Sequence, residues 1–437
     1  MMTNEILDFI QENDVKFIKL FFCDLLGIQK SISVAADDAQ RVLTNGLLFD
    51  ASSIIGFSEG SKSDLYLIPD VSTMQVLPWR PASGRVIRFF CDIKNPDGRD
   101  FKFDTRALLK NTVARLEEKG YLLKIGMECE FYLFKTDSNG DPTMVPYDDA
   151  RCFDISPLDK CENIRREMCL TLSEMGFSPE VSHHESGPGQ NEIDFYYRGS
   201  LSGADTFMAF KGAIKAIAAK NGAFASFMPK PFFDKSGSGL HLNISLTKNG
   251  ENVFLGSKGA LGKIGQSFVA GVLSKSREIS AYMNSNFNSY HRLGEFEAPL
   301  YVSWSNQNRS QLIRIPSANM SEVCMEVRNP DPALNPYLAF NLLINAGIDG
   351  VESNMKLPDP VDENLYDAGD EITSKLERLP ATFEDALNLA LNSDFVNNTI
   401  GHELNLEYYK CKTAELRELE SYSDKEKFIF NNYFRRI

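Results

Sequence analysis

From Val15 to Val34 the chain alternates apolar and polar positions in "VKFIKLFFCDLLGIQKSISV", a period of two that predicts two strands turning at "DLLG". The stretch "RVIRFFCDIKNPDGRDF" predicts another strand, closed by an "NPDG" turn. At Asp104 the period lengthens. "DTRALLKNTVARLEEKG" opens on an aspartate N-cap, gathers Leu108, Leu109, Thr112, Val113 and Leu116 on one helical face and stops at Gly120. This change divides a small β-rich unit, residues 1–102, from a larger unit, residues 103–437. Further helices are expected at 162–175, 203–221, 260–283 and 333–353, and in the charged carboxyl-terminal stretch. Strands and helices alternate irregularly, without a GxGxxG or GxxxxGK[ST] turn, so the larger unit reads as α+β and not as doubly wound.

Four expected strands carry charge on an otherwise apolar ribbon. In "IGMECEFYLF" (125–134), Ile125, Met127, Cys129, Phe131 and Leu133 face one way and Glu128 and Glu130 the other. In "EVSHHESGPGQNEIDFYY" a turn over Ser186 to Gly189 folds Glu185 toward Glu192. "SGSGLHLNISL" sets Leu240, Leu242, Ile244 and Leu246 against His241, Asn243 and Ser245, and "VCMEVRNPDP" sets Glu326 and Arg328 against Met325 and Val327. Any one such face is ordinarily just solvated. Two carboxylates about 4 Å apart, however, repel by about 4 kcal/mol at an effective dielectric near 20. Convergence of these faces in one cleft therefore calls for bound cations. Oxygen donors with one imidazole suit Mg²⁺ or Mn²⁺ better than a structural zinc site. Arg292, Arg309, Arg314 and Arg328 follow among Asn, Ser and Pro, and guanidiniums beside metal-binding carboxylates are what phosphoryl transfer requires. His183 and His184 read as well as structural or supporting histidines as they do as ligands.

Composition narrows the class. With 43% hydrophobic and 24% charged residues, the chain has the make-up of a globular protein, and it lacks an apolar run long enough to span a bilayer. The acidic start "MMTNEILDFIQENDVKF" reads as a short amphipathic helix rather than a signal peptide, which gives a cytoplasmic expectation with no membrane partner. A net charge of −14 argues against nucleic-acid binding. The eight cysteines form no CxxC pair, so reduced, mostly buried thiols are expected, with Cys129 serving only core packing.

Seven motifs in order carry a resemblance over nearly the whole chain: "FDASSIIGF" (49–57), "SDLYLIPD" (63–70), "GMECEFYLF", "SHHESGPGQNEID", "GSGLHLNISL", "EAPLYVSWSNQNRSQLIRIP" and "MEVRNPDPALNPYLAF". The sequence resembles the type I glutamine synthetases. That resemblance implies an amino-terminal β-grasp domain and a catalytic domain with a curved antiparallel sheet flanked by helices. It also implies a dodecamer of two hexameric rings with active sites between subunits. The implied reaction is ATP-dependent amidation of L-glutamate with ammonium through γ-glutamyl phosphate, with two or more Mg²⁺ or Mn²⁺ ions at each site. A nitrogen-responsive transcriptional regulator is a further partner that the family suggests.

Carried over motif by motif, Glu130, Glu185 and Glu192 resemble the ligands of one metal, and Glu128, His241 and Glu326 those of the other. Glu180, Asn243, Ser245, Arg309 and Arg314 match ATP-binding positions, with Arg309 at the transferred phosphoryl. Ser236, Gly237, Arg292, Glu297, Arg309 and Arg328 match the glutamate site. Asp50 corresponds to the aspartate that a neighbouring subunit lends to bind ammonium and take its proton, and Glu297 to the glutamate of the closing flap. Three departures stand out. Ala51 replaces a usual glycine, Ser236 a usual asparagine, and "RLGEFEAP" is one residue shorter than the usual flap. Tyr366 lies near a position adenylylated in longer members, and no such modification is expected here. Two other readings remain open: a γ-glutamyl ligase using an organic amine, and a catalytically silent regulatory relative. The presence of both Asp50 and Glu297 favours ammonium.

Overall fold

Two sheets organise the chain, and the computed structural model describes residues 3–57, 63–316 and 323–437. Strands β1 (Val15–Cys23), β2 (Gln29–Ala35), β3 (Leu47–Asp50), β4 (Asp64–Pro69), β5 (Gln75–Val76) and β6 (Arg85–Lys94) form a sheet in the order β2-β1-β6-β4-β3, with β5 beside β6. The β1–β2 hairpin closes as the alternation predicts. Asp24 Oδ1 accepts the Leu26 and Ile28 N–H groups at 3.0 and 2.8 Å, and Gly27 takes the left-handed conformation (φ +88°) that the turn needs. Helix α1 (Thr3–Glu12) turns Ile6 and Ile10 into the core, and α2 (Ala39–Asn45) buries Ala39 and Val42.

Helix α3 (Thr105–Glu118) starts where the sequence places it, the Asp104 carboxylate accepting the Arg106 and Ala107 N–H groups. Arg106 looks like an ordinary first-turn residue but is 3% exposed. It donates to Asp92 of β6 at 2.6 Å, to Asp70 at 2.9 Å, and through two nitrogens to Asp205 at 3.0 and 2.8 Å. Tyr337 Oη also donates to Asp205, at 2.8 Å. One guanidinium thus ties the small sheet to two helices of the larger unit. Breaking such a buried ionic network by removing one partner costs about 3–5 kcal/mol.

The larger sheet contains β7 (Tyr121–Thr136), β8 (Pro142–Pro146), β9 (Pro179–His184), β10 (Gln190–Gly199), β11 (Ala223–Ser226), β12 (Leu240–Lys248), β13 (Glu251–Asn252), β14 (Trp304–Asn306), β15 (Ile313–Ile315) and β16 (Met325–Val327). Its main path runs β14-β15-β16-β12-β7-β10-β9, antiparallel except for β14–β15. Its helices include α4 (Glu162–Glu174), α5 (Ser200–Lys220), α6 (Lys263–Lys275), α7 (Ser280–Met283) and α8 (Pro336–Glu352), and α5 packs on β7, β10 and β11. The apolar stripe of β12, Leu240, Leu242, Ile244 and Leu246, is fully buried, and so is that of β7 from Ile125 to Leu133. Each such side chain contributes about 1.5–3 kcal/mol of transfer free energy. The α+β expectation holds.

The single helix expected over 260–283 is instead two. Ser276 Oγ donates to the Val272 carbonyl at 2.8 Å, a competing local bond where α6 ends. All four residues of α7 are then buried, so the one-sided periodicity of an amphipathic helix does not persist there. All eight cysteines are free, five of them buried, Cys129 included. Among the described residues no helix is long and apolar enough to cross a membrane. Residues 317–319 of the arginine-rich stretch lie outside the described residues.

Candidate active site

Register aligns the charged faces. Directly opposed across neighbouring strands are Glu128 and His241, Glu128 and Asp194, Glu130 and Glu192, Glu192 and His183, Asn243 and Glu326, and Arg314 and Glu326. Opposed residues in antiparallel strands share a face at Cβ separations of about 4.5–5.5 Å. A band of carboxylates, imidazoles and guanidiniums therefore crosses β15-β16-β12-β7-β10-β9. Above it lies a cavity of ≈ 260 Å³ lined by Glu128, Glu130, Glu185, Glu192, Ser236, Gly237, His241, Arg292, Glu297, Arg309 and Arg328, together with Ser186, Gln190 and Phe296.

Two carboxylate groups have different surroundings. One donor atom from each of Glu128, His241 and Glu326 lies within 4.8 Å of the other two. His241 Nδ1 donates to Glu128 Oε2 at 3.2 Å and Asn243 Nδ2 to Glu128 Oε1 at 2.8 Å. Glu326, 0% exposed, accepts from Arg328 at 2.5 Å and from Arg314 at 2.6 Å. On the other side, Glu130 accepts from Gln190 Nε2 at 3.0 Å and the Gly239 N–H at 2.8 Å, while Glu185 accepts from His183 Nε2 at 3.2 Å and the Ser186 N–H at 2.7 Å. Gly237 and Gly239 allow the backbone to close in: a Cβ on Gly237 would stand 2.5 Å from the Pro229 carbonyl, and one on Gly239 2.6 Å from Arg292 Nη2.

The electrostatics follow from these partners. Burial acts to raise Glu128, but the His241 and Asn243 bonds and the Arg328 charge bring it down to about 2. Glu185 is likewise brought to about 2, against its burial, by His183 and Ser186. Burial pushes Glu130 up, and the Glu185 charge adds to that. Burial and the charges of Glu130, Asp194, Glu128 and Glu185 push Glu192 well above the carboxylate range. Asp194 is raised to about 7 by burial and by Glu128. Without a cation the site therefore holds protons on the β10 side, and a metal must displace them. Mn²⁺ affinity, measured by equilibrium dialysis, should fall as the pH drops from about 7.5 to about 5.5. Calorimetry in buffers of different ionisation heat should show proton release on binding over that range.

Not every expected residue reaches the cavity. Asn243, Arg314 and Glu326 stand beyond its lining, bonded to it or to each other, and Ser245 is buried two residues further along the same face of β12. Glu180 is exposed on β9 and lines a separate depression with Phe153, Arg166 and Val181. Asp50 ends β3, exposed and outside the cavity. The Ser52 N–H and hydroxyl, at 2.8 and 3.0 Å, hold its carboxyl below the usual range. Phe296 and Glu297 in the shortened flap adopt left-handed backbone angles (φ +46° and +67°), a conformation that costs a non-glycine residue about 1–3 kcal/mol. His184 is buried against Asp148 at 2.9 Å and donates Nδ1–H to the Glu185 carbonyl at 2.6 Å, which gives it a supporting place. Gln190 and Phe296 of the lining are not singled out by the sequence, nor is Asp194, opposed to Glu128, which the two-residue spacing in "NEID" could have revealed.

Residues 102–431 match the family described as glutamine synthetase, catalytic domain, and residues 14–96 that described as glutamine synthetase, beta-Grasp domain. The chain is 41% identical over 416 residues to the glutamine synthetase of Clostridium saccharobutylicum, covering 94% of each chain. It is 41% identical over 422 residues to that of Methanosarcina mazei, covering 95% of this chain and 94% of that one. Among solved structures, a GmaS–ADP complex superposes with a TM-score of 0.88 at 29% identity over 98% of each chain. Plasmodium falciparum glutamine synthetase does so with a TM-score of 0.85 at 25% identity over 99% of each. Fold and matches together define an ATP-dependent ligase with a β-grasp domain ahead of its catalytic domain. The chain belongs to the glutamine synthetase family, in which divalent metal and ATP are used together.

Proposed function

We propose that the protein is a glutamate–ammonia ligase: ATP phosphorylates the γ-carboxylate of L-glutamate, and ammonia displaces phosphate to give L-glutamine. The observation that carries this reading is the single cavity in which Arg292, Arg309 and Arg328 face Glu128, Glu130, Glu185 and Glu192. Glu128, His241 and Glu326 converge as donors for one divalent cation, and Glu130, Glu185 and Glu192, which line the same cavity, would supply carboxylates to a second. Bound there, such cations would neutralise phosphate charge. Arg292 and Arg328, with Ser236 and Gly237, hold the glutamate. Arg309 faces the transferred phosphoryl, where a guanidinium offsets developing charge. Asn243, Ser245, Arg314 and Glu180 serve the nucleotide. Glu297 closes over the acyl phosphate and keeps water from hydrolysing it. Asp50, already ionised, binds ammonium and takes its proton.

Asp50 lies outside the cavity of its own chain, which supports a site completed by a neighbouring subunit. Leu48 and Ile55 nearby are 50% and 55% exposed, and Phe153 and Ile155 in the loop that carries Cys152 are 71% and 78% exposed. Apolar surface of this kind suits burial between copies, as in a two-ring dodecamer. A division of the chain near residue 102 and a cytoplasmic location belong to the same reading.

The likeness to GmaS, a γ-glutamylmethylamide synthetase, favours one alternative, an amine-using ligase. The higher identity to glutamine synthetases, 41% against 29%, favours ammonium. Phosphate release from ATP, Mg²⁺ and glutamate should appear on adding ammonium and respond less to methylamine. A stronger methylamine response overturns the assignment, and no release with any amine from a folded oligomer points to a silent relative.

A further inference from the structure

A thiol, an imidazole and a carboxylate meet at the rim of the cavity. Cys152, His183 and Glu185 each offer one donor atom, and the three atoms lie within 4.8 Å of one another. Cys152 Sγ is 3.7 Å from Glu185 Oε1, and His183 Nε2 is 3.2 Å from that same oxygen. A tetrahedral zinc ion, with Zn–S about 2.3 Å and Zn–N and Zn–O about 2.0 Å, has S···O and N···O edges of about 3.5 and about 3.3 Å. Both observed separations fall within about 0.2 Å of those edges. Phe153 stacks on the His183 ring at 4.7 Å and 17°, which fixes the imidazole plane. Glu192 Oε2 lies 3.7 Å from His183 Nε2 but is not one of the clustered donor atoms, which leaves the fourth position to solvent.

We infer that Cys152, His183 and Glu185 form a site for a soft divalent cation, zinc above all, and that its occupation draws Glu185 out of the catalytic metal set. Thiolate and imidazole favour zinc strongly over Mg²⁺ or Mn²⁺, whereas the remaining carboxylates do not discriminate in that way. On binding, the Cys152 thiol loses its proton to solvent and the His183 imidazole carries its proton on Nδ1. That nitrogen has no hydrogen-bond partner among the described residues, so the outer support that usually strengthens a ligating histidine is missing. The site is therefore exchangeable and inhibitory, unlike a closed structural zinc site. The inhibitory half rests on the role proposed above for Glu185; the binding half stands on geometry alone.

Co²⁺ serves as the spectroscopic probe. The full-length protein in excess Mg²⁺, titrated with Co²⁺, should develop a thiolate-to-cobalt charge-transfer band that Cys152→Ser and Cys152→Ala abolish and Cys411→Ser retains. Loss of a supporting partner alone costs about 10–100-fold in metal affinity. Removing the thiol ligand should therefore raise the zinc concentration for half-inhibition at least about tenfold, each chain being scaled to its own zinc-free rate. Bound Co²⁺ without a thiolate band in the wild-type chain overturns the site. A band combined with equal zinc sensitivity of the wild-type chain and both Cys152 variants overturns its control of Glu185. The band reports on the site even if no amine supports phosphate release, so the two proposals fail separately.

Discussion

Replacing Glu326 by glutamine should lower ammonium-dependent phosphate release by about a thousandfold, roughly 4 kcal/mol of barrier. Glu326 is 0% exposed, opposed by Asn243 and Arg314 in register, and its Oε1 lies 3.7 Å from His241 Nδ1. Without a cation its two oxygens are taken by Arg328 and Arg314. A neutral amide keeps the volume but withdraws the charge that a divalent ion needs, and it takes from Arg314 and Arg328 the carboxylate that both bond. Some stability will be lost, because uncompensated buried charge is costly. Near-ultraviolet circular dichroism therefore has to show a folded chain before the rate is read. Equilibrium dialysis should then find fewer Mn²⁺ ions per chain. Full metal occupancy with the activity gone would mean that Glu326 positions the arginines and holds no metal.

Much of this site was legible because a strand's two-residue period assigns faces before any partner is known. Glu128 and Glu130, His241 and Asn243, and Glu326 and Arg328 were grouped by parity, and the glycine-proline turn brought Glu185 and Glu192 together. Which strand would lie beside which was not legible, since alternation specifies a face and not a neighbour. The pairing of Glu130 with Glu192 and of Glu128 with His241 emerges only from register. Long-range ion pairs were hidden for the same reason. Arg106 sits in an ordinary helix start, and nothing local announces that Asp70, Asp92 and Asp205 will converge on it. Cys152 and Glu185 meet across a separation of 33 residues. The break after α6 was missed because helical periodicity presumes one buried face, whereas α7 is buried on every side.

Asp50→Ala should depress ammonium use by at least about a hundredfold while leaving ATP binding nearly unchanged, as expected for loss of a positioned proton acceptor. Its position makes a sharper test possible. Asp50 is exposed at the end of β3, away from the cavity that its own chain builds, so the proposed site takes Asp50 from one chain and Glu326 from another. Asp50→Ala and Glu326→Gln chains, each inactive alone, should regain activity when they are unfolded, mixed and reassembled. With random mixing in equal amounts, each site draws an intact Glu326 half the time and an intact neighbouring Asp50 half the time, so about one quarter of sites should work. A site complete within a single chain predicts no recovery at any mixing ratio. Recovery that rises and falls with the product of the two mole fractions would show that both residues serve the same reaction from different subunits.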